Sequence, residues 1–291
     1  MAVKNWITGA RVRTLPLAIA PIFLGSAAAN LVDRFDLTLA FLAAIVSLSL
    51  QIGVNYANDY SDGIRGTDKD RVGPLRLTGS GLVEPRRVKQ AAFASFAIAA
   101  FAGLTVVLIT AQYWIVLVGL VSIIAAWYYT GGKRPYGYAG LGEVVVFVFF
   151  GLVATIGTTY IQTLHFDGMS LLLGINFGLY ATAVLLVNNI RDIETDKAAN
   201  KNTIAVKLGE KKSKLVFGVM VWLPVAFNLF LILLYPATIL GLINLLIVTP
   251  AFLSCVRGKS PKELITSLKL TSLAGFGYGL LISLGLVLVS F

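Results

Sequence analysis

Nine runs of predominantly apolar residues, each about 18–23 long, divide the chain at roughly 15–32, 37–58, 88–110, 113–130, 141–162, 170–191, 213–234, 237–256 and 269–290. A run of that length crosses the hydrocarbon core of a bilayer as an α-helix. In hydrocarbon each backbone N–H and C=O must be satisfied internally, which leaves only helices and closed barrels as spanning structures. The chain is therefore expected to be an all-α polytopic membrane protein. It forms a single domain over residues 1–291, with the polar loops 63–87 and 197–212 capping a site. Composition agrees: 13% of residues are charged and the mean hydropathy is +0.82, whereas a soluble domain carries about 25% charged residues.

The net charge of +10 does not point to nucleic acid, because the basic residues follow a topological pattern. The N-terminus and the connections after runs two, four, six and eight, with the adjoining helix ends, hold every Lys and Arg except Arg34. Positive charge is retained on the cytoplasmic side, so a cell-membrane protein with a cytoplasmic N-terminus and an outside C-terminus is predicted. Function then belongs to the cytoplasmic face. Lys4, Arg11 and Arg13 ahead of the first run imitate a secretory signal, but the length of the run and its Pro16 and Pro21 favour a retained span. The lone cysteine, Cys255, excludes an intrachain disulfide. The lone His165 falls in a short outer loop and reads as solvated.

Two places break the apolar pattern with acid. In QIGVNYANDYSD, Gln51, Asn55, Asn58, Asp59 and Asp62 recur every three or four residues and form one stripe on a helix. In LLVNNIRDIETD, Asn188, Asn189, Asp192 and Asp196 close a second run. Ionisable groups at the end of a membrane helix are costly and mark functional sites by default. The expectation is that the two stripes face each other and hold a divalent metal. Carboxylate and amide oxygens suit Mg²⁺, which completes its shell with water and substrate phosphates. The alternative is a pair of ordinary solvated helix ends.

Nearby bases fit a phosphate-bearing substrate: Arg65, Lys69, Arg71 and Arg76 after the first stripe, the pair Lys133-Arg134, and Arg191 within the second. For most of these the simpler reading is topology and anionic lipid. No nucleotide phosphate loop occurs in the sequence. Tyr128 and Tyr129 close the fourth run, and Phe147, Phe149 and Phe150 lie in the fifth. Aromatic faces can stabilise a cation, but the Phe trio is expected to face lipid. An offset of 133 carries Asn55 and Asp59 onto Asn188 and Asp192 and run two onto run six. This suggests two pseudo-repeated four-helix units in the same orientation plus a ninth helix. Duplicated halves would also fit a secondary transporter, yet the polar residues cluster at one face and the outer face is nearly bare of charge.

NDYSDGIRGTDKDRVGPLRL (58–77) and NNIRDIETDKAANKNTIAVKLG (188–209) resemble the two Asp-rich motifs of the UbiA superfamily of intramembrane prenyltransferases. The segments 10–21, 70–76 and 129–151 are similar to the branch that prenylates 1,4-dihydroxy-2-naphthoate. The resemblance implies nine transmembrane helices, Mg²⁺ dependence and transfer of a polyprenyl chain from its diphosphate to an aromatic acid, with loss of carbon dioxide. Another aromatic acceptor, 4-hydroxybenzoate or homogentisate, is the alternative. Carried onto this chain, Asn58, Asp62, Asp192 and Asp196 would ligate the metal, with Asp59 and Asp68 as weaker candidates. Asp62, Asp192, Lys133 and Tyr129 form the expected catalytic set. Asn55, Asn58, Arg65, Arg71, Arg134, Asn188 and Arg191 form the expected substrate-binding set. Asn200 and Asn202 depart from the family pattern, which has Gly and a basic residue there.

Overall fold

The structure is a computed structural model that describes residues 3–67, 76–258 and 260–289. The described residues are helical throughout their ordered elements. Among the described residues, a short helix, Val3–Gly9, is followed by nine apolar helical segments, with the short helix Ile193–Ala198 between the sixth and seventh. These are α1 (Leu15–Asn30), α2 (Leu37–Arg65), α3 (Pro85–Thr110), α4 (Ile115–Tyr128), α5 (Gly142–Thr163), α6 (Gly168–Arg191), α7 (Ile204–Leu234), α8 (Pro236–Arg257) and α9 (Pro261–Val289). Eight helices are long and apolar enough to cross a membrane, the first of them taken from Val3, and α4 is the shorter ninth. Its 14 residues rise only about 21 Å at 1.5 Å per residue, less than the predicted run over 113–130.

Local chemistry sets the boundaries. Asp36 caps α2 by accepting from the Leu39 N–H at 2.9 Å, and Asp167 caps α6 by accepting from Ser170 N–H at 2.8 Å. Such caps satisfy amides that the helix leaves unpaired. Gly66, with φ 75°, ends α2 in the left-handed conformation open to glycine. Thr203 caps the first turns of α7, and Gly209 (φ 76°) breaks them from the membrane part.

Helix α1 is the hub, packed against α2, α5, α6 and α9. Its buried face is rich in small residues, with Ala18, Ala20, Gly25, Ala27, Ala28 and Ala29 beside Leu17, Ile22 and Leu24. Small side chains let membrane helices approach closely, where packing rather than hydrophobicity drives association. The same device joins α5 to α6, since a Cβ on Gly151 would lie 2.5 Å from the Gly178 Cα. The main apolar core is built by α1 and α6–α9, and a smaller one joins the C-terminal half of α2 to α3. Helix α4 packs on α2 and α3 and scarcely touches α5. Between them opens a cavity of about 1540 Å³, running from Asn58, Asp62 and Arg191 at the polar end to Ala43, Val107, Ile115 and Ile161 near the other.

Residues Phe147–Val153 of α5 form a π-helical segment. An inserted π turn rotates the faces of the helix that carries it. Phe149 and Phe150 consequently line the cavity, which corrects the expectation that they face lipid. Phe147 instead packs on Gly178 of α6.

Candidate active site

The polar end of the cavity is assembled from five places: the last turns of α2, the α4–α5 loop, the end of α6 with Lys201 beyond it, the start of α9 with Lys262 and Lys269, and the segment before α1. On α2 the stripe divides by function. Asn58 and Asp62 line the cavity. The Asn58 Oδ1 accepts from the Thr130 hydroxyl at 2.8 Å and the Asp62 Oδ1 from the Tyr138 phenol at 2.9 Å. Asp59 points elsewhere. Both its oxygens accept backbone N–H groups, of Leu77 and Thr78, at 2.8 Å each, so it pins the returning loop rather than facing the cavity.

Gln51 and Asn55 lie deeper and hold the segment before α1. Asn55 donates to the Ala10 carbonyl at 2.9 Å and to Thr14 Oγ1 at 3.2 Å, and Gln51 donates to Thr14 Oγ1 at 2.8 Å. That segment brings Arg11 and Arg13 to the cavity wall. By sequence both read as part of the charge bias and of a signal-like N-terminus. The resemblance of residues 10–21 was the one sequence feature that marked them.

At the end of α6, Arg191 donates to Asp192 with Nε at 2.7 Å and Nη2 at 2.6 Å, and to the Asn188 Oδ1 at 2.9 Å. Asn188, Asn189 and Arg191 line the cavity, and Asp192 is buried behind that wall. Asp196 is buried too, 3.6 Å from the Lys201 ammonium, which also lines the cavity. Lys201 was not among the sequence candidates; its signal is a cation five residues past the second acid, folded back so that its N–H reaches the Asp196 carbonyl at 2.8 Å.

Tyr138 joins the two acidic motifs. Its hydroxyl reaches Asp62, while the Arg65 guanidinium and the Lys201 ammonium lie 5.4 and 5.1 Å from its ring centroid. Both are within cation–π range. Its carbonyl accepts the Asn202 N–H at 2.8 Å. Burial first, and the Asp62 carboxylate next, push the Tyr138 phenol up to about 12, so it stays a donor at neutral pH. Asn200 adopts φ 54°, a left-handed conformation in which Asn is the usual substitute for Gly. The departure from the family pattern therefore keeps the turn.

The other candidates divide in the same way. Tyr129 lines the cavity, and burial, with Glu143 second, raises its phenol above the ordinary range. Tyr128 is exposed. Lys133 and Arg134 are exposed at the loop tip and do not line the cavity. Arg65 does not line it either; its guanidinium donates to the Thr130 and Gly132 carbonyls and so anchors that loop. Asp68, Lys69 and Arg71 lie outside the described residues. His165 is exposed, as expected of a solvated loop residue.

The donor set fits a hard divalent cation. Carboxylate and amide oxygens from two helices converge on one cavity end, and the only thiol, Cys255, is buried in α8. Among the described residues no three acids, thiols or imidazoles form a ready-made cage. That matches Mg²⁺, which usually keeps waters and takes substrate phosphates as ligands.

A model of the UbiA prenyltransferase family matches residues 18–289. The chain belongs to that family. The prenyltransferase is 46% identical over 270 residues to a 1,4-dihydroxy-2-naphthoate octaprenyltransferase of Mycobacterium tuberculosis, covering 93% of this chain and 92% of that one. It is 40% identical over 238 residues to the Escherichia coli protein of the same name, covering 78% and 77%. Among solved structures it is similar to a UbiA homolog from Aeropyrum pernix K1, with TM-score 0.69, 17% identity and coverage of 99% and 98%. A UbiA homolog from Archaeoglobus fulgidus, solved bound to DMAPP and Mg²⁺, aligns with TM-score 0.60 and 16% identity over 96% and 99%. At these identities the solved structures speak for the fold of the prenyltransferase.

Proposed function

We propose that this prenyltransferase transfers a polyprenyl chain from its diphosphate to 1,4-dihydroxy-2-naphthoate, with Mg²⁺ as cofactor. The observation that carries the reading is the Asp62–Tyr138–Lys201–Asp196 chain of contacts. It holds two acidic motifs together at the polar end of an apolar cavity deep enough for a long hydrocarbon tail. The relatives named above, at 40–46% identity over most of the chain, support the acceptor.

Asn58, Asp62, Asp192 and Asp196 would hold Mg²⁺. When bound, the ion offsets diphosphate charge and makes it a better leaving group. Arg191 and Lys201, on the cavity wall, bind the phosphate oxygens through charge-assisted hydrogen bonds. Tyr129, Phe149 and Phe150 face the site where positive charge develops on the allylic carbon. The apolar walls from α3, α4 and α5 exclude water from that carbon. A ring carbon of the acceptor then bonds to the chain as diphosphate and carbon dioxide leave. The bilayer orientation follows from charge: the basic polar end, with the N-terminus, faces the cytoplasm.

The test is turnover by purified protein in lipid, given polyprenyl diphosphate, Mg²⁺ and a panel of aromatic acids. Prenylation of dihydroxynaphthoate that chelator abolishes supports the reading. Selective turnover of 4-hydroxybenzoate overturns the acceptor, and no turnover of any acceptor overturns the reaction.

A further inference from the structure

The cavity carries a cation that the diphosphate machinery does not use. Arg191 is paired with Asp192 and Lys201 with Asp196. Lys269 of α9 is exposed and lines the same cavity, and among the described residues it pairs with no acid. It stands between Leu268 and Leu270, inside a helix apolar enough to cross the membrane. A charge there is costly and marks a substrate or ion path by default. Hydrogen bonds fix its depth. Thr14 accepts from Gln51 at 2.8 Å and from Asn55 at 3.2 Å, so it lies between those two levels of α2. The preceding residue, Arg13, accepts through its carbonyl from the Ser272 hydroxyl of α9 at 3.3 Å. Lys269 comes three residues before Ser272, about 4.5 Å nearer the polar end at 1.5 Å per residue. It is therefore level with Asn55 and Asn58, on a wall built by a different helix.

Beyond Lys269, α9 presents Leu273 and Phe276 to the cavity. A cation followed by apolar and aromatic side chains suits a molecule with an anionic edge and an apolar ring. The prenyl diphosphate also joins an anion to an apolar part, but its head is served by the acids of α2 and by Arg191 and Lys201. With diphosphate at Asn58 and Asp62, a ring held against Leu273 and Phe276 lies beside the first carbons of the chain. We infer that Lys269 binds the carboxylate of the aromatic acceptor and selects aromatic acids over neutral arenes. This rests on the prenyltransferase reading above. Lys262, which also lines the cavity, lies two helical turns before Lys269, about 10 Å further out at 1.5 Å per residue. It belongs to the rim.

The experiment crosses a change in the enzyme with a change in a probe. The probes are 2-naphthoate and 2-naphthamide, which match in shape, differ in charge and lack the hydroxyls that activate the ring. Inhibition of acceptor turnover by each is measured in phosphatidylcholine vesicles for wild type, Lys269→Met, Lys269→Arg and Lys262→Met, with the KM for polyprenyl diphosphate alongside. Wild type is expected to bind the acid about tenfold more tightly than the amide, the effect of one charge-assisted hydrogen bond. Lys269→Met is expected to prefer it by less than about twofold. Lys269→Arg, which keeps the charge, and Lys262→Met retain the preference. The KM for polyprenyl diphosphate stays within about twofold of wild type in Lys269→Met. Equal preference in wild type and Lys269→Met overturns the inference. So does an equal loss in Lys262→Met, which assigns the effect to the field of the basic rim. A raised diphosphate KM with the preference intact makes Lys269 a diphosphate ligand and also overturns it. A difference between wild type and Lys269→Met that appears only when phosphatidylglycerol is added assigns the lysine to a lipid headgroup instead. Each of these results leaves the prenyltransferase reading intact, whereas absence of turnover by wild type overturns that reading and the inference with it. If Lys269→Met does not fold, Lys269→Gln must lose the preference for the inference to stand.

Discussion

The ends of α2 and α6 carry similar residues and hold them by opposite means. At the end of α2, the cavity-facing amide and carboxylate, Asn58 and Asp62, accept from neutral hydroxyls, those of Thr130 and Tyr138. At the end of α6, Asp192 and Asp196 are matched with cations, Arg191 and Lys201. Neutral donors orient a carboxylate and leave its charge in place. Cations orient it and compensate the charge. Among the described residues, the first motif therefore presents a carboxylate held by a neutral donor to the cavity, and the second presents positive groups with acids behind them. A metal diphosphate carries both signs, and the two ends offer complements to both.

The widest test of this contrast is to neutralise one acid on each side. Asp62→Asn and Asp192→Asn should each lower kcat/KM about 10³-fold, roughly 4 kcal/mol of transition-state stabilisation. If only one of them does, the two ends do not act as one site. Next in size, Arg191→Leu should reduce stability by about 3 kcal/mol, because the buried Asp192 carboxylate loses the two charge-assisted hydrogen bonds it accepts from Arg191. Denaturation in detergent measures this. A loss under about 1 kcal/mol would mean that the pair is solvated and that the contrast with α2 is overstated.

Asp59→Ala separates position in the repeat from function. The offset of 133 equates Asp59 with Asp192, yet Asp59 holds two loop amides. Its loss should cost about 2–4 kcal/mol of stability through two orphaned donors, with residual activity well above that of Asp192→Asn. Smaller again, Tyr138→Phe keeps the ring between Arg65 and Lys201 and removes only the bond to Asp62. About a fivefold fall in kcat/KM is expected, close to 1 kcal/mol. Tyr138→Leu, which also removes the ring, should fall further.

The smallest effect is in pH. The Tyr138 phenol is raised from 10.0 to about 12, so the folded protein holds that proton more tightly than the unfolded chain. Its contribution is complete below pH 10 and is lost as pH rises through about 12. Stability measured from pH 9 to 12 in wild type and Tyr138→Phe should diverge below that window and converge above it. A difference that persists at the top would remove Tyr138 from the account.

The membrane class, the helices and the two acidic motifs were legible because each is written in local sequence. A hydrophobic run has a length, and a polar stripe has a helical period. Lys133 and Arg134 show where locality fails: a basic pair beside two tyrosines reads as a phosphate site, but the loop turns it outward and brings Tyr138 inward. Phe149 and Phe150 fail for another reason: an aromatic ring in an apolar run reads the same whether it faces lipid or an apolar cavity between helices.

By itself, then, the sequence determined that this protein crosses a membrane as helices and places acid at two helix ends, because hydrocarbon forces those choices residue by residue. Only the tertiary structure decided which acids face the cavity, which cations accompany them, and that α9 brings Lys269 to its wall. Those outcomes depend on which chain segment arrives opposite a given side chain. Partners 60 or more residues away, such as Tyr138 for Asp62 or Thr130 for Asn58, leave no mark on the local pattern.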